Sequence, residues 1–496
     1  MAVAFLSKTP TPFRSLSVST TLLFAKPITF GEMVLSDLST TSMASPFSTP
    51  SCPCCSFLSG AGLFLPWNTE GGLNENDGTC TAINVGDLSP STDIITPNEA
   101  WKRISSMENC VEETDEIRQQ ILLVDTHGHP HLQREVQYAD KADAATPPHE
   151  MGDSTSGVVS LTCAVSPVDW ENALEYASQS PQILPALGIH PWYLGDIMVD
   201  IEKIDNNNND DDDDDEDNIA KYLKWEWLTE LETHVSKHPH LLVGEIGMCK
   251  MARFVREFPK EKGGKATALQ LQKLVFRKQL ELAAKWSRPV TVHCVNAHGL
   301  FMEVMRTILE EAKESCEGGL EVQEAKKVWR RAFPPAIGMH SFTGTAHHVG
   351  EILAFEKELL YPEEVEVGGK RRRRKQKEQQ QVETTLNHGS RLDKNNKGDE
   401  GKKEMLFYFG FSHAVNHIMC TSEKARKKGA EAVRSIPSDR LLVESDVHAS
   451  VDVALGTAGA AAYAAQVRGE TLQEVAECTA RNGLRFLSSL GSISST

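Results

Sequence analysis

The sequence predicts an α/β protein built on one (β/α)8 barrel of the TIM type over residues 119–490, on three observations. Eight short apolar, β-rich runs recur after residue 119, segments with helical spacing separate them, and six of the runs hold or end on a residue that binds metal or moves protons. Eight alternating β/α units in one chain imply a closed parallel barrel.

Composition sets the frame. A chain of 496 residues, 40% of them apolar, can bury one sizeable core or about three average domains. The formal net charge of -18 excludes general electrostatic coating of a phosphate backbone, because that affinity comes from Lys and Arg releasing counterions. Any nucleic acid must be handled locally. No apolar run approaches the roughly 18 residues that span a bilayer, so no membrane partner is expected. The 11 cysteines are odd in number and scattered, which points to reduced thiols rather than a disulfide scaffold. Cys52, Cys54 and Cys55 crowd together, but no second Cys/His pair follows at zinc spacing.

From the N-terminus, residues 1–31 contain no Asp or Glu, carry Lys8, Arg14 and Lys26, and are rich in Ser and Thr, the composition of an organelle transit peptide. An ordinary disordered leader has the same composition, with Met33 and Met43 as internal starts. The location that follows is plastid or mitochondrion for a cleaved leader, and cytoplasmic or nuclear otherwise. The text stays rich in Gly, Asn, Ser and Pro without a sustained period to residue 118, and 1–118 is expected to be a poorly ordered extension.

The eight runs are Ile121–His127, Val158–Val165, Ile183–His190, Leu241–Gly247, Pro289–Cys294, Ala336–Phe342, Leu406–Ser412 and Leu441–Asp446. They are largely apolar rather than strictly alternating, as expected for parallel strands covered on both faces. Helical spacing marks Asp169–Gln179, Tyr222–Lys237, Ala268–Trp286 and Ser422–Ser435 between them. Two low-complexity stretches, the polyacidic 205–217 and the basic, Gln-rich 363–404, are expected to be solvated loop insertions. The run KRRRRKQK within the second also has the composition of a nuclear signal or a nucleic-acid contact.

Chemistry gathers at one end of these runs. Run one ends Asp125-Thr-His127-Gly-His129, run three ends at His190, run four holds Glu245, run five His293, run six His340, and run eight ends at Asp446. Side chains two apart on an extended segment share a face, so His127 and His129 can reach one ion. Taken singly, each residue has a bland reading: a surface pair, a salt-bridged glutamate or a hydrogen-bonded core histidine. As a set, at strand ends in barrel order, they converge on one pocket. Imidazole with carboxylate suits zinc or manganese, and magnesium with more water.

The text VDTHGHP at 124–130, GIHPW at 188–192, VGEIG at 243–247, FRKQLELA at 276–283 followed by PVTVHC, HSFTG at 340–344, LLVESD at 441–446 and RNGLRFL at 481–487 resembles the TatD family of metal-dependent hydrolases. HPWY, VHCVNAHG and ESDVH are similar to a eukaryotic branch described as partners of a cell-cycle ubiquitin-ligase subunit. The resemblance implies a barrel of the metal-dependent hydrolase type holding two divalent metal ions, one on His127, His129 and Asp446, the other on His293 and His340, with Glu245 bridging. It implies that His190 stands beside the substrate, with a structural hydrogen bond at a strand end as the competing role, and that Asp446 is the general base. Two ions about 4 Å apart clamp a phosphate and acidify a water. The sequence departs from the family where Met248-Cys249-Lys250 stands in place of a common Leu-Asp, and where Val295-Asn296 stands in place of an Arg-Asp. A carboxylate and a phosphate-side cation are lost. Cys249 is expected to be a core thiol, with a soft metal ligand as the alternative.

The leading expectation is a phosphodiesterase acting on DNA as a 3'-to-5' exonuclease, a TatD-like deoxyribonuclease. The alternatives are an amidohydrolase-like enzyme acting on a small amide or ester, and a scaffold that binds a protein partner.

Overall fold

The computed structural model describes residues 95–106, 122–134, 137–139, 157–200, 216–316, 322–361 and 404–489, all within one compact unit of residues 51–496. The leader, the Cys52, Cys54 and Cys55 cluster, the basic run and nearly all of the acidic stretch lie outside the described residues.

Eight parallel strands follow one another around a single sheet in sequence order. They are β1 (Leu123–Gly128), β2 (Val158–Cys163), β3 (Ile183–Leu187), β4 (Leu242–Cys249), β5 (Val290–Val295), β6 (Ile337–Met339), β7 (Phe407–Ser412) and β8 (Leu441–Glu444). β8 returns beside β1, where Thr126 Oγ1 donates to the Val443 carbonyl at 3.1 Å and Asp446 N donates to the His127 carbonyl at 3.0 Å. Both faces are apolar because neighbouring residues of a strand face different cores. Leu123, Val243 and Leu441 pack outward against the helices, while Val124, Leu242 and Leu442 belong to the second cluster. Phe486 and Leu487 of the last helix, Leu472–Leu487, join that second cluster.

Local chemistry sets the helix starts. Thr471 and Glu474 form a reciprocal capping box at Leu472–Leu487, and Ser422 caps Glu423–Ser435 by accepting from Ala425 N at 3.2 Å. The expected helices appear as Trp170–Ala177, Glu226–Lys237, Gly264–Lys285 and Glu423–Ser435. One helix, Pro97–Ser105, lies inside the stretch 1–118 that was expected to be poorly ordered. Thr96 caps it, Pro97 opens it, and Ala100 and Ile104 are buried in the core. Its nine residues are too few to show a sustained period in the sequence. Among the described residues, no helix is long and apolar enough to cross a membrane.

Candidate metal centre

Glu245 on β4 is the hub of the rim at the C-terminal ends of the strands. It is 2% exposed. Its Oε2 lies 3.3 Å from His127 Nε2 and 3.3 Å from His129 Nε2, both carried by β1 or the residue after it. Its Oε1 lies 3.2 Å from His190 Nε2, 3.0 Å from His293 Nδ1 and 2.9 Å from His340 Nε2. Asp446 joins from beyond β8, with Oδ1 3.8 Å from His129 Nε2. The backbone turns sharply to present these groups: Asp446 and Ser341 take left-handed φ angles of 51° and 37°, a conformation unusual for non-glycine residues.

Protons alone do not account for this crowding. A carboxylate offers about four lone-pair sites, and five protonated imidazoles would bury excess like charge around one negative group. His129 shows the problem most directly. Its Nδ1 lies 2.6 Å from the Cys163 carbonyl, which can only accept, so Nδ1 carries the proton. The neutral ring then turns a lone pair on Nε2 towards Glu245 Oε2, an arrangement that a cation reconciles. His127 Nε2 and His293 Nε2 are buried without a hydrogen bond of ordinary geometry. Three triplets offer ligand atoms within 4.8 Å of one another: His127, His129 and Asp446; His127, Glu245 and His340; and His190, Glu245 and His293. The donor set fits divalent cations.

The surrounding groups aim the ligands. His127 Nδ1 lies 2.8 Å from Thr291 Oγ1, His340 Nδ1 lies 3.4 Å from Glu444 Oε1, and Ser341 Oγ donates to Asp446 Oδ2 at 3.0 Å. Such partners fix which nitrogen faces the centre. Burial raises the Glu245 carboxyl, but His190, His340 and His127 outweigh it and hold the group well below the usual carboxylate range. Burial pushes His190 down to about 4. For His340 burial acts in the same sense, yet Glu245 outweighs it and raises that ring well above the ordinary value. The Asp125 carboxyl is pushed up to about 8 by burial, against the hydrogen bonds that Ser445 gives it.

All the residues singled out in the sequence therefore lie together: His127, His129, His190, Glu245, His293, His340 and Asp446. His190 lies within ligand distance of Glu245 and His293, and His340 stacks on His127 with ring centroids 3.8 Å apart. Cys249 is a buried thiol whose Sγ accepts from Trp192 Nε1 at 3.2 Å, and it belongs to none of the three triplets. Glu444 and Thr291 had no expected role. The signal was present, since each stands two residues before a residue singled out in the sequence, Thr291 on the strand face of His293 and Glu444 at the end of β8 ahead of Asp446.

Residues 124–359 match the family model described as TatD related DNase. The chain is 21% identical over 360 residues to the Cut9-interacting protein scn1 of Schizosaccharomyces pombe, covering 67% of this chain and 88% of that protein. It is 25% identical over 210 residues to the uncharacterized deoxyribonuclease YMR262W of Saccharomyces cerevisiae, covering 37% of this chain and 66% of that one. Among solved structures it aligns with YJJV, a TatD homologue from Escherichia coli, at 14% identity and a TM-score of 0.40, over 73% of this chain and 96% of that chain. An uncharacterized amidohydrolase from Saccharomyces cerevisiae aligns at 14% identity and a TM-score of 0.43, over 73% and 99%.

Proposed function

We propose that the chain, a metal-dependent hydrolase acting on ester bonds whose residues 124–359 match the TatD related DNase family, cleaves phosphodiester bonds of DNA and releases nucleotides from the 3' end. The observation that carries the reading is the convergence of five histidines on the buried Glu245 carboxylate, with Asp446 at the edge.

His127, His129 and Asp446 would hold one divalent ion, His293 and His340 a second, and Glu245 would bridge them. When bound, the ions supply the positive charge that an acidic chain lacks, and acidify a water towards neutral pH. The remaining work belongs to the protein. Asp446 Oδ1 takes the proton of the attacking water while Ser341 Oγ holds Oδ2 at 3.0 Å. His190, kept neutral by burial, accepts from Trp192 N at Nδ1 and turns its Nε2–H to Glu245 Oε1 at 3.2 Å, so it adds no positive charge beside the substrate. Glu444 keeps the His340 ring turned towards Glu245.

The test is full-length protein with end-labelled single-stranded DNA and magnesium or manganese, beside Glu245→Ala and an EDTA control. Stepwise loss of 3' nucleotides by the wild type alone is the expected result. Undiminished cleavage by Glu245→Ala would sink the assignment.

One observation favours a second reading. Val295-Asn296 stands at the rim where a phosphate-side cation is common, which suits a small amide or ester substrate better than a polyanion. Turnover of such a compound with DNA inert would decide for it. The name of the fission-yeast relative also makes a protein partner of this chain a proposal, tested by capture with ligand variants.

A further inference from the structure

Beside the metal centre, the turn after β3 carries two aromatic rings in the open. Trp192 is 51% exposed and Tyr193 40%, and Met251, two residues beyond Cys249, is 48% exposed. Exposed aromatics on a mobile loop would mean little, but this turn is clamped. Ile189 N donates to Gln279 Oε1 at 2.6 Å, and Gln279 Nε2 donates back to the Ile189 carbonyl at 3.2 Å. Gln272 Nε2 donates to the Pro191 carbonyl at 3.0 Å, while Gln272 Oε1 accepts from Cys249 N at 3.0 Å. Both glutamines are buried on the helix Gly264–Lys285.

The rings are also tied to the chemistry. Trp192 N donates to His190 Nδ1 at 3.3 Å, and the other nitrogen of that ring lies 3.2 Å from Glu245 Oε1. The indole N–H donates to Cys249 Sγ at 3.2 Å, fixing one edge of a side chain that is half exposed. The Tyr193 ring centroid lies 5.9 Å from that of His190.

We propose that Trp192, assisted by Tyr193, is a stacking platform for the base next to the scissile bond. This rests on the phosphodiesterase reading and names the residues that hold that base. The charge balance supports it: with -18 overall and no arginine after His293-Cys294, a contact that does not depend on charge adds to the pull of bound ions. Base stacking on an aromatic ring is such a contact, and every base has a face to offer. A paired base is stacked on its neighbours and cannot use the platform.

The experiment measures binding of a fluorescein-labelled oligothymidylate, and of the same strand with abasic residues at its 3' end, to full-length wild type, Trp192→Ala and Trp192→Phe. Turnover of both strands is followed in parallel. Trp192→Ala should weaken binding of the base-bearing strand about tenfold or more and the abasic strand by much less. Trp192→Phe, which keeps a ring but loses the bond to Cys249, should recover most of the difference. Equal losses on both strands, or no loss, would overturn the platform even if the wild type cleaves DNA. A wild type that cleaves neither strand would refute the phosphodiesterase reading, while the binding series would still decide the platform.

Discussion

Two buried carboxylates at opposite ends of one barrel are treated very differently by their neighbours. Glu356, 4% exposed and near the end of the helix Ala346–Leu360, meets Arg440, 7% exposed and just before β8. Arg440 grips it with two parallel bonds of 2.7 and 2.6 Å, and Leu406 N and Phe407 N each donate to Oε2 at 2.8 Å. One negative group has one positive partner, and the backbone donors at the start of β7 complete it. Glu245, 2% exposed, faces five imidazole nitrogens between 2.9 and 3.3 Å away and, among the described residues, no Lys or Arg ion pair. A buried charge with a matched partner belongs to the fold, whereas one surrounded by more ring nitrogens than it can pair with is arranged for something that arrives later. The matched pair lies at the N-terminal end of the strands and the unmatched one at the C-terminal end, the end where barrels of this kind carry their chemistry.

The contrast breaks most visibly at Glu245. Glu245→Gln should lower hydrolysis on the order of a thousandfold or more, as for a group acting as a unit with its neighbours. Circular dichroism of the metal-free protein should show the fold retained. Arg440→Met should do the reverse, costing roughly 3–5 kcal/mol because it strands Glu356 without its cation. Urea unfolding would show the loss, metal content should not change, and adding Glu356→Leu should restore much of the stability. Glu444→Gln should weaken metal binding about 10- to 100-fold, the usual size for a group that orients a ligand, measured by chelator competition.

The smallest effect concerns histidines outside the centre. Burial pushes His298 and His413 from 6.5 down to about 4, with His348 and His417 adding to it. The unfolded chain therefore binds protons in that window that the folded chain does not, so stability should fall as pH drops from about 6.5 towards 4 and level off below. His298→Phe should flatten that slope by on the order of 1–2 kcal/mol at pH 5, read from urea midpoints.

Much of this was legible beforehand because parallel strands announce themselves as apolar runs and catalytic residues in barrels stand at their ends. The run Ala336–Phe342 illustrates the limit. Only Ile337–Met339 stays in the ladder, since the left-handed turn at Ser341 carries the chain out of it, and nothing in the letters of that run marks the turn. The closeness of His127, His129 and Asp446 was legible from their strand ends, but the stacking of His340 on His127 and the approach of His190 to Glu245 depend on how strands lie across the barrel. Glu444 was visible only as part of a motif; its place beside His340 depends on the registers of β6 and β8 against the β7 that separates them. The openness of Trp192 was not legible either, because the buried glutamines that hold it come from a helix some 80 residues later.

The most direct measurement is the metal content of the full-length protein by mass spectrometry after saturation with manganese or zinc and removal of the excess, compared with Glu245→Ala. Two ions per wild-type chain and at most one in the variant is the predicted result. Equal content in both proteins, or a wild type that retains none, would contradict the assignment of the Glu245 cluster as a metal centre.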